Sequence, residues 1–228
     1  NVKSIEKLES IKFENVNFKY NSSLNHSLSN INLEIKKGER IAFAGPSGSG
    51  KTTISMIAGL GLAKYGKKTL FLDTQNGFSV ERFIQLAGPN YGAYLERVFV
   101  INLNSFDEQT RKVCDLVKVA DNFDLIIIDS FNNHYRKEVK NNIYVVNKLM
   151  EKQIRVLNEL SKKKPIIITN QIYTDLRENK EVMVGRDIIE KWCSRIFELK
   201  NNPRLIIEKK PGKRDVKFEL KNNGIFII

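Results

Sequence analysis

Residues 44–53 read AGPSGSGKTT, and Gly45–Thr52 fit the pattern G-x-x-x-x-G-K-[ST]. The short apolar run RIAFAG leads into it, and TTISMIAGLGLA leads out with helical spacing. A strand, a glycine-rich turn and a helix start make a cradle for phosphate. The glycines let backbone N–H groups curl around an anion, and the helix N-terminus adds partial positive charge. Lys51 is then the side chain that reaches the β- and γ-phosphates, and the Thr52 hydroxyl takes a Mg²⁺ position. The candidate nucleotide-binding residues are Gly45, Pro46, Ser47, Gly48, Ser49, Gly50, Lys51, Thr52 and Thr53. The expected ligands are a nucleotide and Mg²⁺.

Downstream, alternating helices and strands are expected. Helix 51–64 leads to strand KTLFLD, and helix 79–87 leads to strand RVFVINL. SFDE at 105–108 reads as a capping box opening the next helix, with Ser105 as cap and Glu108 reaching back. FDLIIIDS shows no polar alternation, as expected for a strand covered on both faces. Asp129 ends that run, where its carboxylate can hold Mg²⁺ through water. A long helix spans about 141–163, Pro165 stops it, and PIIITNQ is another buried strand.

Upstream the rhythm is different. In IKFENVNFKY, Ile11 and Phe13 alternate, the phase slips, and Val16, Phe18 and Tyr20 alternate again, which reads as a strand with a bulge. INLEI is a second strand, and Lys37-Gly38 turns into RIAFAG. Strands joined by such short turns imply antiparallel pairing. The C-terminal part returns to short strands, RIFEL, RLIIEKK and VKFEL, with a hairpin turn at KNNGI.

The chain has 228 residues, 41% hydrophobic and 28% charged, which fits one α/β domain with or without a small appendage. No apolar run approaches membrane-spanning length. No signal peptide opens the sequence, and Asn1 in place of Met suggests a trimmed or a disordered start. Cys114 and Cys193 lie far apart, in no metal-ligand spacing, and read as reduced thiols of a cytoplasmic protein. The net charge of +12 means either a solvated lysine-rich surface or attraction to nucleic acid or an anionic membrane face.

From Gly45 onward the chain resembles the RecA family, in particular its RadB-type archaeal paralogues. The resemblance is carried by GKKTLFLDTQNGFSVERFIQLA, LIIIDSFNNHYRKE, PIIITNQIYTD and IIEKKPGKRDVKFELKNNGI. It implies a mainly parallel sheet with helices on both faces, ATP and DNA as ligands, and a role in recombination. Residues 11–53 are instead similar to the opening of an ABC transporter nucleotide-binding domain, in which the aromatic after the first strand stacks on adenine; here that residue is Tyr20. The rest of that pattern is missing. There is no LSGGQ-like signature, Ser130 stands where a Glu would follow Asp129, and His26 and His134 are the only histidines. Two resemblances meeting at one loop make an engineered chimera the expected origin.

The RecA resemblance also implies site residues. Its D-T-E-G stretch, whose Glu polarises the attacking water, reads Asp73-Thr74-Gln75-Asn76-Gly77 here. Gln75 can orient a water but cannot accept its proton. Gln171, ending IIITNQ, matches the γ-phosphate sensor, followed by a DNA loop at about 172–185. FNNHYRKEVKNN matches the first DNA loop, where Tyr135 would be an aromatic platform and Arg136 and Lys137 phosphate partners. Lys209, Lys210, Lys213 and Arg214 form a further basic turn facing DNA or a neighbouring subunit.

The expectation is therefore an α/β RecA-like P-loop core over 45–228, preceded by an ABC-type antiparallel β segment over 1–44. It is expected to bind Mg²⁺-ATP with slow or absent hydrolysis. The alternatives are a DNA-binding recombination accessory and a chain assembled only to ask whether two P-loop fragments fold together, without selected function. A monomer or dimer is expected, since no separate N-terminal polymerisation segment is seen.

Overall fold

The change of rhythm near residue 40 becomes a change of layer. The structure is a computed structural model describing residues 8–19, 26–175, 180–183, 185–201, 204–212, 214–216, 218–221 and 224–227. Its strands are β1 (Ser10–Lys19), β2 (His26–Lys36), β3 (Arg40–Gly45), β4 (Thr69–Asp73), β5 (Val98–Asn102), β6 (Leu125–Asp129), β7 (Ile166–Asp175), β8 (Lys180–Met183), β9 (Arg195–Asn201), β10 (Arg204–Lys210), β11 (Arg214–Val216), β12 (Phe218–Lys221) and β13 (Gly224–Ile227). Its helices are α1 (Lys51–Ala63), α2 (Val80–Ala87), α3 (Tyr91–Leu95), α4 (Phe106–Val119), α5 (Asn133–Glu138), α6 (Ile143–Ser161) and α7 (Arg186–Trp192).

The central sheet runs β11-β10-β9-β3-β7-β6-β4-β5. Pairing is parallel from β9 to β5 and antiparallel at β9–β10 and β10–β11. The sequence explains the parallel centre. Residues 125–128 and 166–168 are apolar without a break and fully buried, as a strand covered by helices on both faces must be. Ile41 and Phe43 face α1, whereas Ala42 and Ala44 face the layer that contains α4, α6 and α7. β5 is the edge strand, and Phe99 and Val100 are exposed on it.

β1 and β2 form a separate antiparallel hairpin. The expected bulge is there: the register shifts between Phe13 and Val16, and Asn15 between them has φ 49°. The expectation that each short turn joins antiparallel partners fails at Lys37-Gly38. β3 leaves the hairpin and enters the parallel sheet between β9 and β7. The layer therefore changes at that turn, ahead of the expected division at 44/45. Ile11, Phe13, Leu33 and Ile35 of the hairpin pack on Ile41, Phe43 and Phe197 of the sheet, on the α1 side.

One side chain ties the two layers. Arg195 donates to the Glu34 carbonyl (2.6 Å) and to Glu208 Oε1 (2.7 Å), lies 3.6 Å from Glu39 Oε2, and stacks over Phe197 at 4.7 Å. Planar, forked donors can serve these partners together; a lysine ammonium cannot. Arg195→Ala should cost about 2–3 kcal/mol, the size of a charged hydrogen bond in a partly buried setting. Arg195→Lys should recover only part of it. Urea midpoints for the three proteins test this, and an unchanged midpoint in the Ala variant would remove Arg195 as the tie.

The helix over 105–119 is capped nearly as expected. Ser105 Oγ accepts from the Glu108 N–H (3.1 Å), but Glu108 reaches back to the Asn104 N–H (2.8 Å), one residue before the cap. The C-terminal hairpin expected at KNNGI is present as β12 and β13. Among the described residues, no helix is long and apolar enough to cross a membrane.

Candidate functional site

The glycine-rich loop hangs between the centre of the sheet and α1. A Cβ on Gly45 would lie 2.5 Å from the Leu199 carbonyl oxygen, so the turn out of β3 tolerates no side chain there. Gly50, with φ 96°, turns the chain into α1 from the left-handed region. From β9, Asn201 Nδ2 donates to the Ser47 carbonyl (3.0 Å) and braces the loop from the side. The first-turn N–H groups of Lys51, Thr52 and Thr53 have no acceptor within the helix, as at any helix start. The Thr53 side chain is buried, which leaves only its backbone for a ligand.

Lys51 folds over its own loop. Its ammonium donates to the carbonyls of Gly45 (2.8 Å) and Pro46 (2.7 Å), with Ser49 Oγ at 3.5 Å. Burial lowers its pKa to about 8, and the nearby Asp129 acts in the opposite direction. A buried cation held by neutral oxygens is poised to gain from an anion.

Asp129 ends β6 in register with Asp73 at the end of β4. Thr52 Oγ1 donates to Asp129 Oδ2 (2.6 Å), and the buried Thr169 hydroxyl donates to Oδ1. Burial raises the Asp129 pKa and the Asp73 charge adds to the rise, while the two hydroxyls and Lys51 oppose it. A hydroxyl and a carboxylate meeting beneath a phosphate-shaped turn are the hard oxygen donors that Mg²⁺ prefers. Among the described residues no three His, Cys, Asp or Glu side chains cluster as a metal cage. The donor set thus suits an ion that completes its shell with water and phosphate oxygens.

Asp73 is committed to structure. Its two oxygens accept from the N–H groups of Gln75 (2.9 Å) and Phe78 (2.8 Å), which pins the loop after β4. That pinning brings Gly77 against Thr52 and Asp129: a Cβ there would sit 3.6 Å from Thr52 Oγ1 and 3.9 Å from Asp129 Oδ2. Gln75 itself is exposed, and its Nε2 donates to Asn133 Oδ1 (3.3 Å). Asn133 Nδ2 in turn donates to the Thr74 carbonyl (2.6 Å).

Gln171 lies in register with Gly45 across β7 and β3, beside the start of the loop. Asn132 clamps it. Asn132 Oδ1 accepts from the Gln171 N–H (3.2 Å), and Asn132 Nδ2 donates to the Gln171 carbonyl (3.3 Å). Ser130 Oγ donates to the same Asn132 Oδ1 (2.9 Å). A side-chain amide thus imitates a strand partner, and it links the Asp129 turn to Gln171. Asn132 and Thr169 escape sequence reading because their work is defined only by what faces them. The SFNN run offers no periodic signal.

The expected DNA-contacting residues scatter. The first expected DNA loop is partly helical, forming α5, and Tyr135 turns inward. Tyr135 is 7% exposed, its hydroxyl donates to Asn147 Oδ1 (2.8 Å), and its ring packs edge-on to Phe106. The expectation of an open aromatic platform at Tyr135 is therefore corrected, because an apolar ring beside α4 and α6 is worth more buried. His134 is buried too, with Nε2 2.7 Å from the Leu103 carbonyl. Arg136 and Lys137 are exposed as expected, and Tyr144, in the first turn of α6, is an exposed aromatic with the Lys148 ammonium 4.2 Å from its ring centre. The second expected loop is shorter than 172–185, since β7 continues to Asp175 and pairs with β8.

In the basic turn, Lys210 is also corrected. Its ammonium donates to the carbonyls of Glu190 and Cys193 (both 2.6 Å), closing the C-terminal end of α7. Lys209 is ion-paired with Glu198 (2.8 Å). Tyr20 and Lys213 lie outside the described residues. Arg214 lies in β11, and its side chain is not among those described.

A family model for the ABC transporter matches residues 28–168. The DNA repair and recombination protein RadB of Methanosphaera stadtmanae is 31% identical over 229 residues, covering 93% of this chain and 96% of that protein. RadB of Methanocaldococcus jannaschii is 33% identical over 85% of this chain and 95% of its own. A crystal structure of the RadB recombinase matches with TM-score 0.67 at 30% identity, covering 84% of this chain and 91% of that one.

Proposed function

Because this chain belongs to the RadB family of DNA repair and recombination proteins, and matches the ABC transporter model over residues 28–168, we propose that it binds Mg²⁺-ATP at Gly45–Thr53, hydrolyses it slowly, and lets nucleotide state adjust its grip on DNA. The observation that carries this reading is the contact of Thr52 with Asp129 beneath a loop whose lysine, among the described residues, donates its hydrogen bonds to carbonyl and hydroxyl oxygens. Lys51 and the loop N–H groups would hold the β- and γ-phosphates. Thr52 and Asp129 would hold Mg²⁺, which supplies charge neutralisation on the phosphates when bound. Gln171, beside Gly45, is assigned to sense the γ-phosphate, and Tyr20 to stack on adenine. Gln75 supplies an amide where the chemistry favours a base, so turnover is slow.

The alignment with the Methanosphaera relative takes in 93% of the chain, so it reaches into the front hairpin as well as the core. A natural RadB-type protein whose front end is similar to an ABC domain accounts for both matches, with no engineered join required.

For DNA, the proposed surface is built on Arg136, Lys137 and Lys140, all exposed, with Tyr144 as the stacking aromatic in place of Tyr135. Affinity for single-stranded DNA should fall steeply as salt rises, because each neutralised phosphate releases counterions. Tyr144→Ala should weaken binding by about 1–3 kcal/mol, the worth of one stacked base. Fluorescence anisotropy across a salt series checks both. A flat salt response, or a Tyr144→Ala variant equal to the parent, counts against this surface.

A further inference from the structure

A polar cleft of about 390 Å³ opens between the loop after β4, the loop after β5 and α5. Thr74, Gln75, Asn76, Asn104, Asn133 and Lys137 supply its polar wall, and among the described residues no carboxylate lines it. Among the described residues, the side-chain amides of Asn76 and Asn104, Gln75 Oε1 and the Lys137 ammonium have no protein partner. Asn133 is already engaged, bridging Gln75 and Thr74, and so stiffens the wall.

We propose that this cleft takes one nucleotide unit of a bound single strand, with its base edge on the amides and its phosphate on Lys137; the proposal rests on the DNA reading above. Free amides present donors and acceptors side by side, as a base edge does. A purely apolar ligand would strand them, and a simple anion would use only Lys137 and the NH₂ groups. Lys137, the one lysine among the described lining residues, calls for one negative charge attached to a hydrogen-bonding heterocycle. Exposed Arg136 and Lys140 continue the positive path for neighbouring phosphates.

The cleft also reaches the nucleotide site. The loop that gives it Gln75 and Asn76 lays Gly77 against Thr52 and Asp129. A base held on that loop therefore bears on the Mg²⁺ donors. The coupling must be reciprocal: an ATP analogue changes DNA affinity by the same factor as DNA changes analogue affinity.

The test measures anisotropy of labelled oligothymidylate with the parent, Asn104→Leu and Lys137→Ala, across a salt series. Asn104 is exposed, so its side chain can change without disturbing the core. Asn104→Leu should weaken binding about three- to tenfold, the worth of one hydrogen bond, with the salt slope unchanged. Lys137→Ala should weaken binding and reduce the slope by about one. If the parent binds with a salt-dependent affinity and Asn104→Leu equals it, the cleft is overturned while the DNA reading stands. If the parent binds no oligonucleotide even at low salt, the DNA reading fails and the cleft with it. If thymidine monophosphate displaces the strand at equal nucleotide concentration, a free nucleotide is the occupant and the strand assignment is overturned.

Discussion

Lys51→Met is expected to abolish tight nucleotide binding and, at neutral pH, to make the nucleotide-free protein more stable. The binding loss should be about 10–100-fold, because a charged hydrogen bond to phosphate is worth about 1.5–3 kcal/mol. The stability gain follows from the pKa. Burial holds Lys51 near 8 in the fold, below its ordinary 10.5. Keeping that ammonium charged in the folded protein at pH 7 costs about 3 kcal/mol. Methionine of similar shape removes the cost but leaves the Gly45 and Pro46 carbonyls without their donor, so the net gain should be nearer 1 kcal/mol, or about 2–4 °C in Tm. The sign can be checked with pH. Between about 8 and 10.5 the unfolded chain binds more protons at residue 51 than the native protein, so parent stability rises with pH there. The methionine variant lacks that rise, so its advantage should vanish within the window and the parent should be the more stable protein at the top of it. Thermal scans at pH 7 and pH 10, with and without Mg²⁺-ATP, decide it. A variant that binds ATP like the parent would remove Gly45–Thr53 as the site.

Gln75→Glu is expected to raise single-turnover ATP hydrolysis by about 10²-fold or more, the typical lower range of general-base catalysis. ATP affinity should change little, since a base acts on the transition state more than on the bound ground state. The geometry makes the test sharp. Gln75 hangs on the loop whose Gly77 lies against Thr52 and Asp129, so a carboxylate there would be tethered beside the proposed phosphate site. It would also lose the Nε2 donor to Asn133, a weak bond at 3.3 Å on an exposed side chain, so the loop should keep its shape. Rapid quench of both proteins under saturating Mg²⁺-ATP measures the difference. A parent that already turns over fast, or a Glu variant no faster, means that Gln75 does not stand in the place of the base.

The chemistry around residue 45 is legible in sequence because it is local. A phosphate turn needs glycine at fixed offsets and a lysine and hydroxyl just after, and all of these lie within nine consecutive residues. The buried parallel strands are legible for a similar reason: unbroken apolar runs such as LIII have no exposed face to declare. The bulge in β1 shows as a slip in alternation.

What sequence could not assign was decided by which surfaces met. HYRK looks like an open basic loop, yet Tyr135 is better placed as a core ring against Phe106, and only its neighbours Arg136 and Lys137 remain outside. Lys210 reads as one more surface cation until α7 presents it with two carbonyls. β3 follows a tight turn and was expected to stay with its hairpin. The pull of two apolar faces, Ile41 and Phe43 on one side and Ala42 and Ala44 on the other, instead placed it in the middle of the sheet. The residues that brace the site, Asn132 on Gln171 and Thr169 on Asp129, come from strands and turns 39 and 40 positions apart. Spacing along the chain carries short-range geometry, and these pairings exist only once the sheet has fixed its strand order.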